Sequence, residues 1–300
     1  MSAERELRLQ RFYLGDDCYS MEAASVTAIR RWEEARAPEH DGAGVIASLA
    51  EGPVYSLRGL LGLDVPLAAA GPVFVVKTPN RSYGVQVDRV ARALQVARTL
   101  PCQLPPAARD PHGRVRGVVR LGEELSLVLS PDKLAGGYAV EEAFGPGAAW
   151  AMNAPPAAEK KMLCFTESEH DASTLFAVAL RQVVEIAEGL RVIRLGGHNP
   201  CVYGITDWRG YIVPVIEPSA LLGVRHEGAF GPGTKLAILR GTRSRDLFAL
   251  RAANFAAVTL PLGASVGLGK PIEGLGPYVR AAYEIAGGCI VLPDLDLVAG

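Results

Sequence analysis

The stretch NPCVYGITDWRGYIVPVI, residues 199–216, predicts a β-hairpin. Two apolar segments, residues 204–207 and 212–216, flank the dipeptide Arg209-Gly210. A glycine in a two-residue connection is typical of tight hairpins, because glycine adopts the positive φ that such turns require. Gly287-Gly288 predicts a second turn of this kind near the end of the chain.

Much of the sequence around this stretch occurs twice. TLP at 99–101 returns at 259–261, GP at 71–72 returns at 231–232, and LLG at 60–62 returns at 221–223. Solenoid units run roughly 20–50 residues, so a repeat this long indicates a duplicated domain. We expect a first domain at 1–134, a linker rich in Gly, Pro and Ala at 135–159, and a second domain at 160–300. The regions 8–134 and 161–298 are called the first and second copy below.

Composition excludes several classes of protein. The 31 basic and 32 acidic residues give a net charge of -1, which leaves no basic face for nucleic acid. The N-terminus lacks the apolar stretch of a secretory signal, and no apolar run is long enough to span a bilayer. The five scattered cysteines favour free thiols over disulfides or a zinc site. We therefore expect a soluble, cytoplasmic protein with no membrane insertion.

Short apolar segments between Gly and Pro predict a mainly β fold with eight or more strands per copy. So many short strands favour closed barrels, which remove exposed edges. The longest predicted strands are residues 19–29 and 175–186. The apolar spacing over residues 87–97 by itself predicts a helix. Short helices are expected at 56–61 and 218–222, where a following glycine marks the end.

No enzyme signature is complete. His198 and Cys201 could form a Cys–His nucleophile pair, but Pro200 between them indicates a loop. The glycine-rich segment 263–270 has the wrong spacing for a phosphate loop. We therefore predict no catalytic residue, no cofactor and no metal site. A Cys–His hydrolase or transferase on a β scaffold and a small-ligand binding module stay open as alternatives.

The 199–216 stretch resembles the signature of the CheW family, the bacterial chemotaxis coupling proteins. The shared features are a Gly-led strand, an Arg-Gly turn and an apolar strand with an internal proline. Residues 83–90 of the first copy, YGVQVDRV, look like the family's Gly-apolar-x-Val-Asp-x-Val segment. Residues 116–119 and 125–134 are similar to its last hairpin. The order of these motifs, found in both copies, extends the resemblance to nearly the whole chain.

The resemblance implies that each copy is a pair of small SH3-like five-stranded β-barrels with short helices, and that residues 83–90 enter a strand. Family members are non-catalytic adaptors that dock onto the regulatory domain of the histidine kinase CheA and onto chemoreceptor cytoplasmic tips. The function implied for this chain is a scaffold in a chemotaxis or motility pathway. The predicted partner-binding residues are Arg209, Gly210, Trp208, Val213 and Ile216.

The two copies differ at the motifs that carry this resemblance. At the place of Arg209-Gly210, the first copy reads Ala50-Glu51-Gly52-Pro53, with a negative charge instead of a positive one. The second copy has lost the Val-Asp-x-Val segment and reads LFALRAAN at 247–254. A like charge at an interface disfavours binding, so we expect the first copy to have lost or reversed the arginine's contact.

Overall fold

A computed structural model describes residues 6–38, 44–63, 70–97, 102–134, 161–167, 173–196, 199–224, 233–244, 246–259, 277–285 and 288–298. The predicted linker at 135–159 lies outside these residues. Short β-strands in three sheets make up most of the described chain, and no described helix reaches seven residues. No helix in the described ranges is long and apolar enough to cross a bilayer.

In its described ranges, the first copy contains eleven strands and two short α-helices. The strands are β1 (Glu6–Leu14), β2 (Asp17–Glu22), β3 (Val26–Arg30), β4 (Val45–Leu49), β5 (Gly52–Ser56), β6 (Val73–Lys77), β7 (Ser82–Gln86), β8 (Arg89–Val90), β9 (Leu94–Ala97), β10 (Val115–Leu121) and β11 (Glu124–Leu129). The helices are α1 (Leu57–Leu61) and α2 (Pro131–Leu134). One sheet has the order β10-β11-β2-β1-β8, with β9 also on β1, and the other has the order β3-β6-β7-β5-β4.

The described residues of the second copy form one sheet of ten strands. The strands are β12 (Lys161–Thr166), β13 (Thr174–Ala179), β14 (Val183–Glu188), β15 (Val192–Arg194), β16 (Val202–Trp208), β17 (Tyr211–Ile216), β18 (Lys235–Arg240), β19 (Leu247–Thr259), β20 (Val279–Ile285) and β21 (Gly288–Pro293), before helix α3 (Leu295–Val298). The long strand β19 pairs with β17 and β18 in its first half and with β12 in its second half. In the first copy the same path is divided into β7, β8 and β9.

Matching irregularities show that the two copies share one fold. The β3–β6 ladder has a bulge at Val26/Ala28, and the β14–β18 ladder has one at Val183/Glu185. The β4–β5 and β16–β17 hairpins both carry a bulge near their start, as do β10–β11 and β20–β21. A bulge bends a strand at a defined position. Its recurrence therefore marks structurally equivalent residues.

Each copy has two apolar clusters among its strands, as a pair of small barrels requires. In the first copy the clusters are Leu9, Val96, Val119 and Val128, and Ala47, Val54 and Val73. In the second they are Met162, Cys164, Ala177 and Ala179, and Trp208, Val213, Val215, Leu236, Ile238 and Ala249. In the first copy Phe12 of β1 meets Phe74 of β6 edge to face, with ring centroids 5.4 Å apart, and so joins the two cores.

Three local predictions can be compared with the structure: short helices at 56–61 and 218–222 and a helix over 87–97. The short helices are confirmed: the Ser56 hydroxyl accepts a hydrogen bond from the Gly59 N–H at the start of α1, and Gly62 ends it at φ 67°. A 3₁₀ turn at Ser219–Leu222 ends in the same way at Gly223, φ 76°. The helix predicted over 87–97 from the apolar spacing is wrong, because this segment forms β8, a connection and β9.

The two longest predicted strands are each interrupted at the same place. A 3₁₀ turn at Ala23–Ser25 separates β2 from β3, and another at Leu180–Gln182 separates β13 from β14. In both copies the strand before this turn and the strand after it have different pairing partners.

Chain contacts divide the molecule into two compact units, residues 1–104, 109–141 and 193–198, and residues 105–108, 142–192 and 199–300.

Candidate docking surface

The β16–β17 hairpin closes on a two-residue turn with both residues in the left-handed region. Arg209 has φ 50° and Gly210 has φ 84°, and Trp208 pairs with Tyr211 at the last rung of the ladder. Positive φ at both central residues is the turn geometry that matches the twist of paired strands. The Asp207 side chain accepts a hydrogen bond of 2.9 Å from the Gly210 N–H. Residues 208–211 are called the Arg-Gly tip below.

Arg209 is an unusual residue for its position. Glycine adopts the left-handed conformation without cost, but a side chain there costs about 1 kcal/mol. Its side chain is 69% exposed, yet it is held at two points. The guanidinium lies 2.8 Å from the Glu185 carboxylate on β14 and 5.2 Å from the centre of the Trp208 ring. Arg209 therefore presents a fixed, exposed cation from a strained backbone position.

The neighbouring aromatic residues complete the tip. The Trp208 indole N–H donates to Glu185 at 3.0 Å, so the same carboxylate holds both Trp208 and Arg209. Tyr211 is 61% exposed, and its ring centre is 6.2 Å from that of Trp208. Arginine and aromatic side chains dominate the binding energy of many protein interfaces. This arrangement can therefore anchor a partner through one cation and one exposed ring.

The predicted site residues occupy two different environments. Arg209 and Gly210 lie at the exposed tip, and Trp208 is nearly buried behind them. Val213 and Ile216 are fully buried, so they support the hairpin from the barrel interior. Sequence reasoning missed Tyr211 and Glu185. Tyr211 follows directly after the Arg-Gly dipeptide and could have been chosen by position.

The first copy has a shorter hairpin at the equivalent place. Its last ladder pair, Leu49 with Gly52, corresponds to Thr206 with Val213, because Pro53 takes the ladder position of Pro214. The two outermost pairs of the second hairpin are thus missing. The first copy's turn at Ala50-Glu51 therefore stands closer to the barrel than the Arg-Gly tip does.

The ion pair at this turn has the opposite polarity in the first copy. Arg30 on β3 lies 2.6 Å from Glu51 in the turn, whereas in the second copy the strand carries the acid and the turn carries the base. Hydrogen bonding from Arg30 lowers the pKa of Glu51. Each turn is thus pinned to its neighbouring strand, but the charge presented outward is reversed.

The Val-Asp-x-Val segment of the first copy has a structural role. Asp88 accepts a 2.6 Å hydrogen bond from the Gly15 N–H and forms a largely buried ion pair with Arg58 of α1. Asp88 thus connects the β1–β2 turn and helix α1 to the segment between β7 and β8. In the second copy, ladder pairing places Ala253 at this position. The loss of the motif therefore removes a structural tie.

The second copy carries a different buried acid, Glu217. Glu217 follows β17 and lies 3.6 Å from Arg251 of β19. Its Oε1 atom is buried with no hydrogen-bond partner in the described residues. Burial raises the pKa of Glu217 to about 7, the nearby Glu167 carboxylate adds to that rise, and Arg251 lowers it in part. Glu167 itself accepts hydrogen bonds from the N–H and hydroxyl of Ser219, at 2.9 and 3.1 Å.

The environment of Cys201 does not suit a nucleophile. It is fully buried, and its thiol donates to the Ala220 carbonyl oxygen at 3.5 Å. Burial raises the pKa of the thiol to about 12, whereas a reactive cysteine needs a depressed pKa and access. His198 lies outside the described residues. Cys201 is therefore a packing residue behind the start of β16.

Comparison with known proteins identifies the family. The model of the CheW-like domain matches residues 8–137 and again residues 161–299, which is most of the chain. The chain belongs to the CheW-like domain family and carries two such domains in tandem. This is a non-catalytic scaffolding family, which excludes the Cys–His enzyme.

A similar solved structure is that of the scaffolding protein TtCheW from Thermoanaerobacter tengcongensis. The identity is 17%, the match covers 47% of this chain and 88% of that chain, and the TM-score is 0.37. A comparison with curated proteins found no match.

Proposed function

We propose that this chain is a cytoplasmic scaffold in a bacterial chemosensory or motility pathway, and that its Arg-Gly tip docks the regulatory domain of a CheA-type histidine kinase. The observation that carries the proposal is Arg209, an exposed cation in a strained backbone conformation, fixed by Glu185 and stacked on Trp208. Strain of this kind persists where the surrounding structure enforces it, and it concentrates at functional positions.

The proposal assigns kinase docking to the second copy. Arg209 and Tyr211 project beyond the shorter hairpin of the first copy, which presents Glu51 instead. A partner surface that is acidic at the contact point attracts Arg209 and is repelled by Glu51. Val213 and Ile216 act indirectly, because they are core residues that hold the hairpin straight.

A chemoreceptor cytoplasmic tip is the second partner in this proposal. Family membership supports that assignment. We also propose that the chain is organised as domains at 1–134 and 160–300 with a linker at 135–159.

Titration of the chain with a purified CheA-type regulatory domain tests the proposal. Arg209→Ala and Tyr211→Ala should each weaken binding by about tenfold or more, the loss typical of anchor residues. Arg116→Ala is the matched control, since Arg116 is also an exposed arginine in a surface ion pair, 2.7 Å from Glu22 in the first copy. The proposal is overturned if the folded protein binds neither the kinase domain nor the chemoreceptor tip. It is also overturned if kinase binding is the same in Arg209→Ala and Tyr211→Ala as in the wild type.

A further inference from the structure

The loop between β18 and β19 is longer than its counterpart in the first copy. Six residues, 241–246, connect β18 to β19, whereas four residues, 78–81, connect β6 to β7. The shorter turn closes on itself, since the Thr78 N–H donates to the Arg81 carbonyl oxygen at 2.9 Å. The longer loop instead closes around a side chain from another element, Asp296 of α3.

Four donors of this loop hold the Asp296 carboxylate. Three are the successive backbone N–H groups of Thr242, Arg243 and Ser244, each at 3.1 Å. The fourth is the Ser244 hydroxyl, also at 3.1 Å. Burial acts to raise the pKa of Asp296, but the hydrogen bonds from Ser244 and Arg243 outweigh it and lower the pKa below its ordinary value. The carboxylate is therefore ionised at neutral pH, and its contact with the loop is called the latch below.

The aspartate of the latch has an equivalent in the first copy, Asp132 of α2. Each aspartate lies three residues after the last ladder residue of the preceding strand, which is Leu129 in β11 and Pro293 in β21. Asp132 is exposed, whereas the side chain of Asp296 is only 7% exposed within its loop. The two copies therefore differ in how they hold the helix that follows their last hairpin.

Hydrogen bonds connect the latch to the hairpin that carries the Arg-Gly tip. Helix α3 ends at the buried Val298, whose carbonyl oxygen accepts a 3.2 Å hydrogen bond from the Asn199 side-chain amide. The Asn199 side-chain oxygen in turn accepts a 3.1 Å hydrogen bond from the Cys201 N–H, directly before β16. Displacement of α3 should therefore release the residues that position the start of β16.

We propose that Ser244 is a phosphorylation site for an arginine-directed serine/threonine kinase, and that its modification opens the latch. Ser244 is exposed, and the side chain of Arg243 before it is 67% exposed. Kinases select their substrates partly by charge patterns of this kind. Arginine precedes serine at one other place, Arg81-Ser82, but Ser82 is half-buried in a ladder pair with Lys77. The inference goes beyond the proposed docking function.

The chemistry of the modification accounts for the opening. The Ser244 oxygen forms a bond to the γ-phosphorus of ATP as the bond from that phosphorus to the β,γ-bridging oxygen breaks. ADP leaves, and the hydroxyl proton passes to a base of the kinase. A donor to Asp296 is thereby replaced by a largely dianionic phosphate, which repels a neighbouring carboxylate. The Arg243 guanidinium, 3.6 Å from Asp296, is attracted to the phosphate and leaves the latch as well.

Phosphorylation of the full chain tests the assignment of the site. With the catalytic domain of an arginine-directed serine/threonine kinase and ATP, the wild type should gain a phosphoryl group that peptide mass spectrometry places on Ser244. Ser244→Ala should abolish this incorporation. Ser82→Ala is the matched control, because Ser82 also follows an arginine, and it should be modified like the wild type. A chain that stays unmodified at Ser244, or a Ser244→Ala variant modified as fast as the wild type, overturns the proposal.

Hydrogen exchange of the phosphorylated chain tests the opening of the latch. The backbone N–H groups of residues 242–244 lose their acceptor when Asp296 leaves, so they should exchange about tenfold faster or more. Faster exchange should extend to the Cys201 N–H. Asp296→Ala should reproduce both effects without a phosphate, and the control Asp132→Ala should produce neither.

Phosphorylation of Asp296→Ala separates the latch from a general loosening of the barrel. The phosphate should change exchange in this variant by less than about twofold, because two changes that remove the same contact do not add. Unchanged exchange in the phosphorylated wild type contradicts the proposal, and so does a full acceleration on phosphorylation of Asp296→Ala. No CheA-type protein enters these measurements, so their outcome is independent of the docking test.

Discussion

Arg209 and Glu185 form an ion pair of 2.8 Å that joins the tip of one hairpin to the neighbouring strand of the same barrel. The first copy joins its turn to the matching strand with the charges exchanged, through Glu51 and Arg30 at 2.6 Å. The duplication thus preserved the link between turn and strand while reversing the charge at the turn. This difference allows two similar domains in one chain to present different binding surfaces.

Replacing Arg209 separates its functional and structural contributions. Arg209→Asn should leave the free energy of unfolding within about 0.5 kcal/mol of the wild type, because asparagine tolerates left-handed backbone and offsets the loss of an exposed ion pair. Kinase docking should nevertheless fall about tenfold. Chemical denaturation and a binding titration on the same sample measure both. A destabilisation of several kcal/mol would show that Arg209 mainly maintains the fold.

Glu217 makes stability depend on pH in a defined direction. Its pKa is raised from 4.5 to about 7, so the folded protein keeps a proton that the unfolded chain releases as pH rises through this window. Stability should therefore fall between about pH 4.5 and 7 and stay lower above it, by on the order of 2–3 kcal/mol.

Glu217→Gln tests this origin, since the amide cannot ionise. It should be more stable than the wild type by about 2 kcal/mol at pH 8 and nearly equal to it at pH 4.5. Urea denaturation at the two pH values measures the difference. A variant that is less stable at pH 8 would mean that the charged carboxylate contributes more through Arg251 than burial costs.

Asp88 should be among the most important polar residues for the stability of the first copy. Asp88→Ala leaves the Arg58 guanidinium largely buried without this partner and removes the acceptor for the Gly15 N–H. Breaking a buried ion pair from one side costs about 3–5 kcal/mol. The control Asp246→Ala, at an exposed position, should cost about 0.5 kcal/mol or less. Equal effects of the two variants on thermal unfolding would contradict this role.

Thiol labelling should distinguish the cysteines by burial. Cys102 is exposed, whereas Cys18, Cys164 and Cys201 are buried. Burial raises the pKa of all three buried thiols, so we expect a disulfide reagent at pH 8 to label Cys102 rapidly and those three only on unfolding. Cys102→Ala should remove the rapid reaction, and Cys201→Ala should leave it intact. Loss of the rapid reaction in Cys201→Ala would reinstate a reactive cysteine.

The features that were predicted correctly from the sequence depend on residues that are close together along the chain. The turn at Arg209-Gly210 and the helix ends at Gly62 and Gly223 require positive φ, and glycine supplies it. The helix predicted over 87–97 is wrong, because strands separated by a connection can also place apolar residues three and four positions apart. Identity at a repeat spacing of 160 residues does not ensure equivalence: Gly44 matches Gly204 in the sequence, but ladder pairing puts Ala47 in the place of Gly204.

By itself, the sequence determined the duplication, the mainly β class and the family, because these follow from local patterns that occur in both copies. It also located the Arg-Gly turn, which the second copy carries at Arg209-Gly210. The tertiary structure alone decided which side chains are available to a partner. Val213 is buried and Tyr211 is exposed although they lie two residues apart on the same face of β17, because Tyr211 stands at the end of the hairpin while Val213 packs in the apolar core. Ion pairs such as Arg209 with Glu185 and Arg58 with Asp88 join residues distant in sequence, and only folding brings their charges within reach.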